Sequence, residues 1–163
     1  MAAPEVTIAH ATPEDAELLA AQLRPVEADE VRASSGKEPL PILLESVGMS
    51  DEAWTIRFNG ELALIFGVVL LDESEDAGRI GCAWMLTTSL VERYPILFWK
   101  LCLKMLPFLM ARWDALINSI DARHTKAVRW AKRLGFDLDE PRPFGAHGLD
   151  FHPFIITREC LHV

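Results

Sequence analysis

Asp114–Phe136, DALINSIDARHTKAVRWAKRLGF, decides how the chain is read. Ala115–Ile120 is a short, mostly apolar run with β-branched Ile117 and Ile120, which predicts a strand. Asp121–Thr125 is a polar break in which Asp121 or Thr125 can cap the next element. From Lys126 the apolar positions Ala127, Trp130, Ala131 and Leu134 recur at i, i+3, i+4 and i+7. That spacing is one face of a helix, with Lys126, Arg129, Lys132 and Arg133 mostly on the solvated side. Gly135 falls where a helix end favours φ > 0, and Phe136 opens a new extended run. Strand, turn, helix and strand make a βαβ-like corner.

Downstream of the corner, Phe136–Leu138 starts a strand, Asp139–His147 is a Pro/Gly-rich loop, and Leu149–Thr157 is a last apolar strand. Upstream, Pro95–Trp113 reads as an apolar helix kinked or split at Pro107. Arg79–Thr88 (RIGCAWMLTT) is a central strand after an acidic turn at Asp72–Gly78. Asp51–Phe58 and Glu61–Leu71 form a hairpin, because Asn59-Gly60 between two apolar runs is the signature of a type I′ turn. Gly67 marks a bulge or a close backbone approach. Before the hairpin, Pro39 and Pro41 lead into a short helix, Ile42–Val47, ended by Gly48. An acidic helix begins at Pro25–Val31 and breaks at Ser34-Ser35-Gly36. The first helix starts at Thr12-Pro13-Glu14-Asp15, with Thr12 as N-cap, and buries Ala16, Leu18, Leu19, Ala20 and Leu23. Val6–Ala9 is the first strand.

With 163 residues, half of them hydrophobic, the chain is read as one domain over 1–163. A domain of that size buries roughly 70% of the surface its unfolded chain exposes. A net charge of −8 and a pI near 5.1 argue against nucleic-acid backbones and anionic membranes as partners. Three cysteines, Cys82, Cys102 and Cys160, lack Cys-x-x-Cys spacing, which fits reduced thiols buried as small hydrophobes in a cytoplasmic protein. MAAPEVTIAHA carries neither a basic n-region nor a long apolar run, so no secretory signal is expected. Tyr94–Trp113 is interrupted by Lys100, Lys104 and Pro107, short of the ~20 apolar residues a membrane helix needs. No internal repeat, Walker loop or dinucleotide fingerprint is present, and Gly145-x-x-Gly148 is too weak to count.

The corner His124-Thr125-Lys126-Ala127-Val128-Arg129-Trp130-Ala131-Lys132-Arg133-Leu134-Gly135-Phe136 resembles the last part of a GCN5-related N-acetyltransferase (GNAT) domain. There the pattern is close to Asn-x-x-Ala-x-x-Leu-Tyr-x-x-x-Gly-Phe. Ala127, Gly135 and Phe136 match at the same spacing. His124 replaces an asparagine that touches the pantetheine arm, and Ala131 replaces a tyrosine that often protonates the departing thiolate. The resemblance implies an α/β, GNAT-like (acyl-CoA N-acyltransferase) fold in the order β-α-α-β-β-β-α-β-α-β-β. Helices would cover both faces of a mixed sheet, with Arg79–Thr88 and Ala115–Ile120 splayed to admit acetyl-CoA. A narrower resemblance rests on GKEPLPILLESV, DEAWTIRFNGELALIFGVV, GCAWMLTTSL and DARHTKAVRWAKRLGF. These are similar to a phage-encoded GNAT-like branch that includes the internal virion protein A of T7-like phages. That likeness implies host cytoplasm as location and a virion or host bacterial protein as partner.

The same resemblance implies roles for individual site residues. The backbone of Met85, Leu86 and Thr87 would pair with pantetheine amides and polarise the thioester carbonyl. The phosphate loop, written Arg/Gln-x-x-Gly-x-Gly/Ala in the family, corresponds here to Thr87–Pro95, which has no glycine. Thr88, Ser89 and Arg93 would then reach the phosphates through hydroxyls and guanidinium, with Glu92 opposing them; a plain capped helix start is the other reading. His124 is either a pantetheine contact and general base near pH 7, or a polar turn residue before a helix. Glu30, Asp29 and Glu27 sit where this fold supplies a carboxylate to a cationic amine acceptor; a solvated acidic face is the alternative. Glu30 and His124 are the candidate proton acceptors. The tryptophans Trp84, Trp99, Trp113 and Trp130 read as packing. His147-x-x-Asp150-x-His152 lacks established ligand geometry, so no metal is expected. Two functions are implied: acetyl transfer from acetyl-CoA to an amine, or a catalytically weak binding module of the same shape.

Overall fold

The computed structural model describes residues 2–161. β1 (Val6–His10) is followed by α1 (Pro13–Gln22), α2 (Pro25–Ser35) and α3 (Pro39–Met49), one helix more than the expected order holds before the next strand. Then come β2 (Glu52–Phe58), β3 (Glu61–Ser74), β4 (Gly78–Thr87), α4 (Leu90–Arg93), α5 (Pro95–Met110), β5 (Ala115–Asp121) and α6 (Thr125–Leu134). After α6 come β6 (Asp137–Leu138), β7 (Arg142–Phe144), β8 (Leu149–Thr157) and a short 3-10 turn at Arg158–Cys160. One mixed sheet runs β1-β2-β3-β4-β5-β8-β6, with β7 also paired to β8. β4 and β5 are parallel, and the other pairings are antiparallel.

Local chemistry explains the boundaries. Thr12 Oγ1 accepts from the Asp15 amide while the Asp15 carboxylate accepts from the Thr12 amide, a reciprocal cap that fixes the start of α1. The Asp15 carboxylate also takes Thr55 Oγ1 at 2.8 Å and pairs with Arg57, tying α1 to β2. Burial pushes this carboxyl up, but Arg57, Thr55 and the Thr12 amide outweigh it and hold it below its usual range. Asn59 and Gly60 both have positive φ (49° and 79°), as the predicted turn between β2 and β3 requires.

Several expectations are corrected. α3 starts at Pro39 rather than Ile42 and runs through Gly48, because Pro39 and Pro41 occupy a first turn whose amides lack intrahelical partners anyway. The acidic turn is confined to residues 75–77, since β3 keeps pairing with β4 through Glu73↔Arg79 and Ser74↔Gly78. α5 passes through Pro107 and stops three residues later. Within the expected 139–147 loop, Arg142–Phe144 pairs with β8. Gly67 is a close approach and not a bulge: a Cβ there would meet the Glu52 carbonyl and the Trp84 ring, both at 2.9 Å.

Cores form on both faces of the sheet. On one, Ala16, Leu19 and Leu43 pack on Leu62 and Ile65 of β3, while Leu18, expected inside, points to solvent. On the other, α5 lays Leu101, Leu106, Leu109 and Met110 over Ile56, Leu64, Phe66 and Val68, with Trp113 fully buried. Residues 62–68 are buried throughout, as a strand covered on both faces must be.

Candidate active site

β4 and β5 pair over three residues only: Ile80↔Ala115, Gly81↔Leu116 and Cys82↔Ile117. β4 then continues to Thr87 and β5 to Asp121 without joining. At the point of parting, the Asn118 side-chain amide donates to the Ala83 carbonyl at 2.7 Å. A side chain thus replaces the next backbone rung. Beyond it lies a cavity of about 660 Å³ that passes between the strands, lined by residues from both faces of the sheet.

Met85, Leu86, Thr87, Glu30 and His124 line this cavity; Thr88, Ser89 and Arg93 do not. The Thr87 amide donates to Glu27 Oε2 at 3.1 Å, and its hydroxyl donates to the same oxygen at 2.9 Å. Strand alternation turns Met85, two residues earlier, to the same side, so its N–H and C=O face the gap beyond the end of the ladder. The Thr88 amide donates to Ala63 O, and its hydroxyl to Leu62 O, inside the fold. In the turn after it, the amides of Val91, Glu92, Arg93 and Tyr94 all donate to carbonyls of Thr88–Leu90. Ser89 and Arg93 are exposed, with Arg93 over the Tyr94 ring. Thr88 and the amides after Ser89 are therefore engaged within the turn, and Ser89, at the N-cap of α4, makes no side-chain cap bond.

α2 carries the acidic wall. Glu27 is 5% exposed and takes Arg24 Nε at 3.3 Å; Arg24 also donates to Glu92 at 2.7 Å. Burial pushes the Glu27 carboxyl up, a tendency that Arg24 and Thr87 only partly counter. The hydrogen bond from Arg24 holds Glu92 below its usual range. Glu30, one turn on, lies 3.3 Å from His124 Nδ1. Asp29 points outward to Arg32.

His124 is at the N-cap of α6 and makes no side-chain cap bond; neither Asp121 nor Thr125 caps the helix as the sequence led us to expect. Asp121 instead binds Arg123, whose guanidinium and amide outweigh burial and hold this carboxyl low. Its carbonyl accepts the His124 amide at 2.9 Å, which fixes the turn presenting the imidazole. Gly135 closes α6 at φ 101°, a backbone shape that costs a side-chain-bearing residue about 1 kcal/mol or more. Ala131 is buried. Beside it Trp130 stacks between Phe98 and Phe136 at 5.9 and 6.4 Å and walls the cavity.

On the α2 side the β7–β8 hairpin forms another wall. The Ala146 and His147 amides donate to Ser34 O and Ala33 O, the last carbonyls of α2, and hold Phe144 at the cavity's edge. Burial pushes the Cys82 thiol up and Cys102 up to about 12, so both are neutral hydrophobes. His152 Nδ1 lies against Asp139 O, and among the described residues no three metal-binding side chains converge. No described helix is long and apolar enough to cross a membrane. Sequence reasoning missed the Glu27–Thr87 bond, Arg24 and Asn118. The Glu27–Thr87 and Asn118–Ala83 contacts span 60 and 35 residues and carry no local signal, whereas Arg24 stands three residues before Glu27, a spacing that marks it as a partner.

No protein-family model and no curated protein matches the sequence. Solved structures do match in fold. An aminoglycoside N(6′)-acetyltransferase from Legionella pneumophila superposes with a TM-score of 0.72 at 11% identity, covering 98% of this chain and 95% of that one. A GNAT-family acetyltransferase from Streptococcus pneumoniae gives 0.61 at 18% identity, with 94% and 99% covered. A putative acetyltransferase from Salmonella typhimurium, solved with acetyl-CoA, gives 0.59 at 13%, with 93% of both covered. Over nearly its whole length, this chain has the acyl-CoA N-acyltransferase fold.

Proposed function

We propose that this protein transfers an acetyl group from acetyl-CoA to an amine. The observation that carries this reading is the gap between β4 and β5, with the Glu30–His124 contact on its wall. The gap fits the arm of the donor: Met85 offers a backbone N–H and C=O that no strand pairs with, and Ala127 and Trp130 give an apolar wall. The phosphate end would rest on the side chain of Lys126 more than on loop amides, which are engaged internally. When bound, acetyl-CoA supplies a thioester whose C–S bond breaks as the amine's C–N bond forms, the thiol leaving with a proton in place of the one the amine gives up.

Within this chain, Met85 N–H is aimed where a carbonyl oxygen gathers charge. Glu30 orients the His124 ring through Nδ1, leaving Nε2 to accept the amine's proton. Ala131 offers no acid, so protonation of the thiolate falls to water. His124→Ala should lower kcat at least about 100-fold in a free-thiol release assay, within the usual worth of a general base. Unchanged turnover would remove His124 from the mechanism. The donor site is tested separately: acetyl-CoA at 100 times its Kd should stabilise the fold by about 2.7 kcal/mol.

A second reading, a binding module for a host bacterial protein or a virion component of the phage-encoded branch, draws support from Glu27. Its carboxylate already holds the Thr87 amide that a catalytic site would leave open. No thermal shift with millimolar acetyl-CoA, together with no thiol release, would favour that module.

A further inference from the structure

The acetyl-transfer reading leaves the acceptor open, and the α2 side of the cavity narrows it. That wall is built from Val31, Ile42, Trp84 and Phe144, with the carboxylates of Glu27 and Glu30. The two acids are not equivalent. Glu27 answers the Arg24 guanidinium at 3.3 Å, which it shares with Glu92, and two donors of Thr87, so its near partners lie within the protein. Glu30 lies against His124, and among the described residues no lysine or arginine forms a close ion pair with it, although Arg123 acts on it from farther off. Ser34 and Ser46, the other polar side chains there, are uncharged, and the Ser34 hydroxyl already donates to Val31 O.

We infer that the acceptor is a monoamine on an apolar body, its ammonium seated at Glu30 beside His124 and its body against Trp84 and Phe144. This rests on the acetyl-transfer reading and goes beyond it by naming the substrate class. A single carboxylate without a close lysine or arginine suits one positive charge. A second or third ammonium, as in a polyamine or aminosugar, would meet only carboxylates already engaged by Arg24. Sugar hydroxyls against Val31 and Ile42 would lose water without gaining a partner. Aromatic faces, by contrast, take up alkyl or aryl surface and tolerate a nearby cation. The Trp84 ring is held for this: its Nε1 donates to Ser50 Oγ at 2.9 Å and its face lies over Gly67.

The experiment measures thiol release from acetyl-CoA with phenethylamine, hexylamine, spermidine and kanamycin, alongside calorimetric binding of each amine to the protein alone. Both monoamines should show kcat/KM at least tenfold above spermidine and kanamycin. Glu30→Gln should weaken phenethylamine binding at least tenfold and leave that of 2-phenylethanol, its neutral analogue, unchanged. Trp84→Leu should reduce discrimination between phenethylamine and spermidine. Acetylation of spermidine or kanamycin in preference to the monoamines overturns the inference and leaves acetyl transfer standing. If no amine releases thiol, acetyl transfer fails and calorimetry decides the rest: tighter monoamine binding upholds the acceptor class, and equal or weaker binding overturns it.

Discussion

The two ends of the β4–β5 pair behave oppositely. At the closed end Gly81 sits under Trp113 and Val68 so tightly that a Cβ would lie 2.2 Å from Val68 Cγ1 and 2.9 Å from the Trp113 ring. The backbones can zip there because nothing stands between the layers. At the open end Asn118 occupies the rung position, Thr87 turns to Glu27, and apolar side chains face a cavity. A parallel pair thus opens where side chains on α2 and β5 outcompete the opposite strand for its backbone groups. A cavity at the carboxyl ends of parallel strands is a general consequence of α/β architecture, and here the wedge can be named.

The closed end should be the more sensitive to substitution. Gly81→Ala forces Val68 or Trp113 to move within a fully buried layer, and a loss of about 3 kcal/mol is expected from such overpacking. Urea denaturation measures it. A change below about 0.5 kcal/mol would mean that the layer yields easily and that the closed end is not held by close packing.

At the open end Asn118→Ala leaves the Ala83 carbonyl without its donor, at a cost of about 1–2 kcal/mol. If Asn118 is the wedge, amide exchange near Ala83 and Met85 should quicken while that of Gly81 stays slow. Equal acceleration on both sides of Cys82 would dissolve the distinction between the ends.

Much of the fold is legible in the sequence. The capping box at Thr12, the Asn59-Gly60 turn and the Ala127–Gly135 helix each rest on side chains a few residues apart, so local sequence specifies them. The corner at Asp114–Phe136 reads as strand, turn, helix and strand, and β5, α6 and β6 follow in that order, although β8 lies between β5 and β6 in the sheet. The extra length of α3 is masked because Pro39 and Pro41 look like breakers unless they fall in a first turn. Glu30 and His124 are each suggested by position, yet their contact spans 94 residues and only the folded topology joins them. Thr87 and Thr88 look like ligand donors because hydroxyls and amides at a strand end usually are free. Glu27, Leu62 and Ala63 reach them from other elements.

The smallest effect, and the one that best separates the open end from the closed one, is the titration of Glu27. Its carboxyl titrates near ~4.3 in the unfolded chain and higher in the folded one, because burial disfavours its charge more than Arg24 and Thr87 favour it. Between those values the native state holds the proton more tightly, so stability is fully present below the unfolded value and declines as pH rises through the folded one. Glu27→Gln removes that titration, whereas Asp15 and Asp121, held low by their arginines, contribute equally to both proteins and cancel in the difference. The Tm of the natural chain minus that of the variant should therefore fall as pH rises from about 4.3 and then level off. The opposite slope would show that Arg24 and Thr87 hold Glu27 charged at a net gain, making this carboxylate a fastening of the open end and not a strained occupant of it.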